Sequence, residues 1–80
     1  MAHVRVDNDE FLVEDTESVF GFSKPENRKH NFRRRFEEKA SGRVFYCDYT
    51  GGNVFELQPE EVLVRVTDAA TLARLESAVP

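Results

Sequence analysis

Cys47 and the two histidines, His3 and His30, are the residues whose types could do covalent chemistry, since a thiolate beside an imidazole is a minimal nucleophile–base pair. Their placement argues against that use. Cys47 lies in Val44-Phe45-Tyr46-Cys47-Asp48-Tyr49, an alternating stretch whose apolar side would bury the thiol as a small hydrophobe. His30 falls on the solvent side of a basic helix and His3 near the start of the chain, with no further ligand at metal-binding spacing. The acid pairs Asp9-Glu10, Glu14-Asp15, Glu37-Glu38 and Glu60-Glu61 read as turns and solvated faces. Asp7-Asn8-Asp9-Glu10 lacks the central Gly and distal Glu of a calcium loop. Thr50-Gly51-Gly52-Asn53 has the backbone for a phosphate cradle but is flanked by acids, so it reads as a hairpin tip. No catalytic residues, no metal site and no cofactor are expected.

Cationic residues give the stronger pattern. Of the 11 Lys and Arg, eight fall between Lys24 and Arg43, against three acids. The first 23 residues carry a net −5 and the stretch after Arg43 a net −4, which leaves the chain at −4 overall. Opposite blocks adjacent in sequence can neutralise each other on folding; alternatively the basic block meets an acidic partner. The overall acidity disfavours unspecific attraction to nucleic acid or anionic membranes.

Those cations need an element to hold them. Ser23-Lys24-Pro25-Glu26 is a helix start, with Ser23 as cap, Glu26 three residues on and Pro25 in the first turn. Ser41-Gly42 supplies a left-handed stop, so the spacing predicts a basic helix over about 24–40. Phe32, Phe36 and Ala40 form its narrow apolar stripe, rimmed by Arg28, Lys29, Arg33, Arg35 and Lys39.

Around that helix the pattern is largely extended. His3–Asp7, Phe11–Val13 and Val19–Phe22 read as short strands, with Asn8-Asp9 as turn chemistry. Gly42–Leu57 reads as a hairpin. An odd loop would pair Tyr49 with Phe55 and Cys47 with Leu57, leaving Tyr46, Asp48 and Glu56 on the solvent face. Gln58-Pro59-Glu60-Glu61 turns into Val62–Val66, whose three valines share a face. Thr67-Asp68 caps a C-terminal amphipathic helix over about 68–79, built on Ala69, Leu72, Leu75 and Val79.

The expectation is one α+β domain, residues 1–80, with an antiparallel sheet of about four to five strands, the basic helix and the C-terminal helix. Its length, single Cys and lack of a long apolar run suit a reduced, cytoplasmic domain with no membrane span. The function expected is a non-enzymatic protein-binding module: a regulatory subunit, adaptor or small inhibitor of the phage type. It would engage an acidic protein surface through Arg28, Lys29, Arg33, Arg35, Lys39 and Arg43, with Tyr46 as aromatic anchor. The alternative is a nucleic-acid-binding domain using the same helix, and a homodimer is a further option.

Overall fold

Asn8 sets the first hairpin. Its side-chain oxygen accepts the backbone N–H groups of Glu10 at 2.9 Å and Phe11 at 2.7 Å, the local turn that short amide side chains favour. Strands β1 (Val4–Asp7) and β2 (Phe11–Asp15) flank it. The computed structural model describes residues 4–15, 22–28, 32–48 and 53–79. A short helix α1 (Pro25–Arg28) follows, then β3 (Phe32–Glu38), β4 (Val44–Asp48), β5 (Val54–Gln58), a 3-10 turn at Pro59–Glu61, β6 (Val62–Arg65) and helix α2 (Ala69–Ser77). The strands form one six-stranded antiparallel sheet in sequence order, so among the described residues β1 and β6 are its edges.

The α+β class and the antiparallel sheet agree with the sequence, but the sheet has six strands rather than four to five. The expected basic helix over 24–40 is corrected. Its described part is Pro25–Arg28, within the expected start, but Phe32–Glu38 is the third strand, so the helix does not run to 40. Phe32 and Phe36 share a face in a helix, but four is also an even number, so the spacing never distinguished the two periods. Tertiary pairing decides it. A helix resting on two Phe side chains would bury little, whereas in β3 both Arg34 and Arg35 find an acid on β2. Arg34 lies opposite Asp15 and Arg35 opposite Glu14, so two successive cations meet two successive anions, one pair on each face. A register shift between Phe32 and Arg34 then sends the two phenylalanines to different faces. Gly42 does take the left-handed conformation (φ 77°), but it turns the β3–β4 hairpin rather than stopping a helix.

Both faces of the sheet are covered, and this explains the second correction. One face packs Phe11, Val13, Phe36, Phe45 and Val54 under Leu75 of α2 and Ala78 just past its end, with Leu72 and Val79 at the margin. Asp68 caps that helix, accepting the Thr71 N–H at 2.9 Å. The other face is aromatic: Phe32, Tyr46, Phe55, Leu57 and Leu63 lie with Phe22, just ahead of α1. Phe32 stacks on Tyr46 with centroids 5.4 Å apart, and Phe22 meets Tyr46 edge-on at 5.1 Å. The hairpin pairs Cys47 with Val54 and Tyr46 with Phe55, not Cys47 with Leu57. The odd loop followed from assuming a single buried face. With two buried faces Phe55 need not share a side with Phe45 and Cys47, and Tyr46 need not face solvent. The expected strand at Val19–Phe22 lies largely outside the described residues. Its last residue, Phe22, is buried and lies outside any strand.

Candidate functional site

The cations singled out in the sequence are spread over both faces of the sheet, not along one ridge. Arg28 folds back on the start of α1, its Nε donating to the Phe22 carbonyl at 3.0 Å and Nη2 to that of Ser23 at 2.9 Å. Lys29 and His30 lie outside the described residues, as does His3. Arg33 sits half-buried at the register shift. On the helix-covered face Arg34, adjacent to them in sequence, forks onto Asp15, with Nε–Oδ1 2.5 Å and Nη2–Oδ2 2.6 Å. Arg43 forks onto Glu56 at 2.9 Å through both nitrogens, with its guanidinium 5.0 Å above the Phe45 ring. On the aromatic face Arg35 reaches Glu37 at 3.0 Å and Glu14 at 3.8 Å, and Lys39 pairs with Asp7. Tyr46 is 7% exposed, so it is a core residue instead of a solvent-facing anchor.

Sequence blocks of opposite charge have thus become neighbouring strands. The acidic β2 lies beside the basic β3, and hydrogen bonds from Arg43 hold the Glu56 carboxyl below the usual range. Arg74 of α2 extends the network to Glu10 and Glu38 and lies 5.4 Å above the Phe11 ring, which ties the helix to the sheet.

Cys47 opens into a cleft of ≈ 530 Å³ between α2 and the sheet, lined also by Arg34, Leu72 and Glu76. Burial pushes its thiol up, partly offset by the Arg34 charge, which is the wrong direction for a nucleophile. Among the described residues no group of three or more His, Cys, Asp or Glu could hold a metal ion.

The surface that the sequence reading missed is β6. Among the described residues Val62 and Val64 are the exposed large hydrophobics, at 45% and 47%, and they stand side by side on one face of an edge strand. Backbone hydrogen bonding fixes which groups face outward. The Val66 N–H donates to the Val54 carbonyl at 2.8 Å, so in an antiparallel ladder Val62 and Val64 also bond inward to β5. The N–H and C=O groups of Leu63 and Arg65 therefore point away from the sheet. At the other edge, β1 shows solvent the charged side chains of Arg5 and Asp7. The three valines at alternate positions were visible in the sequence; that β6 would be an edge was not, because it depends on the order of all six strands.

Comparison with protein-family models, curated proteins and solved structures found no significant match to this chain.

Among the described residues no helix is long and apolar enough to cross a membrane. The described chemistry is thus a set of internal ion pairs, a raised thiol and one apolar edge strand.

Proposed function

We propose that this chain is a non-enzymatic protein-binding module, a regulatory subunit, adaptor or small inhibitor, and that its contact is made by β6. The observation that carries the reading is the apolar edge. Val62 and Val64 are exposed beside the outward-facing backbone groups of Leu63 and Arg65, and such an edge is a template for adding a strand. An added strand gains backbone hydrogen bonds, and the two valines supply apolar contact.

A contact made instead through the expected set of Arg28, Lys29, Arg33, Arg35, Lys39, Arg43 and Tyr46 would compete with internal partners at several of its described members. Arg35, Lys39 and Arg43 would have to leave Glu14, Glu37, Asp7 and Glu56, and Tyr46 its aromatic cluster. The same cost falls on a nucleic-acid reading. The single cysteine suits a reducing compartment such as the cytoplasm.

The test is affinity capture from a lysate of the source organism, comparing the natural chain with a Val62→Lys/Val64→Lys variant of unchanged circular dichroism. A protein retained by the first and lost with the second supports the reading. Equal retention by both contradicts it.

A further inference from the structure

We infer that the partner of β6 is a second copy of this chain, the two β6 strands pairing antiparallel across a two-fold axis at Val64 to make one continuous sheet. This rests on the reading of β6 as the contact strand and adds the identity of the occupant.

Self-complementarity carries it. With Val64 opposite Val64 of the second copy, Leu63 of each chain lies opposite Arg65 of the other. Those are the residues whose N–H and C=O groups point outward, so both form hydrogen-bonded pairs and no outward group of the strand is left over. Val64 then falls at the closely spaced, non-hydrogen-bonded position, where side chains approach most nearly. Val62 lies opposite Val66 of the other copy. Because the axis runs perpendicular to the sheet, the three valines of each chain share one face, and Val62 and Val64 lose their exposure together.

Neighbouring registers are worse. Centring on Arg65 would set two guanidinium groups face to face. Centring on Leu63 would place Arg65 against Glu61, whose left-handed backbone (φ 57°) does not continue a strand. In the Val64-centred register the pairs are Val62 with Val66, Leu63 with Arg65 and Val64 with Val64, so Glu61 stays outside the ladder and its carboxylate stays on the Ser23 and Lys24 N–H groups. Asp68, past the strand, is turned to the Thr71 N–H at the start of α2. Pairing of β6 with β1 of another copy is open-ended and would grow filaments; the two-fold closes. One four-residue strand from each chain makes the contact, at the small end of specific interfaces, so the dimer is expected to be reversible and half-dissociated at about micromolar to millimolar concentration.

Sedimentation equilibrium on the full chain over that range is the test, run beside Val64→Lys and, as a control on the opposite edge, Arg5→Glu. The expected result is a monomer–dimer equilibrium for the natural chain and for Arg5→Glu, with association weakened at least tenfold in Val64→Lys while its thermal midpoint is kept. A second variant, Val62→Lys, guards against an accidental loss of fold and is expected to behave alike. A natural chain that stays monomeric throughout overturns the inference, as does a dimer that ignores both lysines or a series of higher oligomers. If the natural chain is monomeric yet the two lysines abolish capture of a different protein, the occupant is wrong and the contact strand stands. If the lysines change neither association nor capture, both fail.

Discussion

The carboxylate of Glu61 accepts the backbone N–H of Lys24 at 2.7 Å, across 37 positions of sequence. It also accepts the Ser23 N–H at 2.8 Å, and Asn27 donates to the Glu61 carbonyl at 2.6 Å. One side chain at the foot of β6 therefore fastens the start of α1 over the aromatic face. Glu60 and Glu61 both adopt left-handed backbone (φ 63° and 57°), a conformation that costs a non-glycine residue about 1–2 kcal/mol. The clamp offsets that strain at Glu61.

The clamp gives a pH signature. Hydrogen bonds from the Ser23 and Lys24 N–H groups hold the Glu61 carboxyl at about 2, below its ordinary 4.5. Between those values the unfolded chain binds a proton that the folded chain refuses. The contribution of Glu61 is thus fully present above about pH 4.5 and is lost as pH falls towards about 2. Thermal midpoints measured from pH 6 to pH 2 are expected to fall in that window. Glu61→Gln should lower the midpoint at pH 6 and flatten the acid-side slope; other lowered carboxyls, including Asp7 and Glu56, keep some of it. An unchanged slope in Glu61→Gln contradicts the clamp.

Glu60 carries the same backbone strain and is exposed. Glu60→Gly should therefore stabilise the fold by about 0.5–1 kcal/mol in denaturant titrations, because relief of the left-handed strain exceeds the added chain entropy. Destabilisation would mean that the left-handed turn at this residue is not what the folded chain adopts.

Phe32 and Phe36 test the strand assignment. They are 4% and 3% exposed and belong to separate cores on opposite faces. Each Phe→Ala change is expected to cost about 3–5 kcal/mol in urea unfolding. Only Phe36→Ala should perturb the methyl resonances of Leu75, and only Phe32→Ala those of Leu63. Joint perturbation of one shared set would restore the single helical stripe.

Much of the fold was legible in local pattern. The Asn8 turn, the Pro59–Glu61 turn and the Asp68 cap are all set by residues within a few positions of one another. The failures lie where distant residues decide. Arg34 and Arg35 are extended because Asp15 and Glu14 lie opposite, and nothing between positions 32 and 38 records that. Tyr46 was placed in solvent because a one-sided sheet was assumed, whereas Phe22 comes from another part of the chain to bury it. The charge blocks were read correctly as blocks, and neutralisation between adjacent segments was one of the two outcomes they allowed.

Arg34 and Asp15 are each about one-third exposed, so their fork is worth little despite its geometry. A double-mutant cycle with Arg34→Ala and Asp15→Ala should give a coupling of about 0.5–1 kcal/mol, shrinking in 1 M salt. A coupling near zero at low salt would show that the two charges are not engaged.

Cys47 should react slowly. Burial raises its thiol, so labelling by a thiol reagent at pH 8 is expected to run at least tenfold slower in the folded chain than in urea. Equal rates would reopen a chemical role for this residue.

The most direct test of β6 as the contact strand is amide hydrogen exchange read residue by residue at low and high protein concentration. Protection of the Leu63 and Arg65 N–H groups should rise with concentration, while Arg5 and Asp7 on the opposite edge stay unchanged. Constant exchange at Leu63 and Arg65 over that range, or an equal gain at both edges, would contradict a two-fold contact through β6.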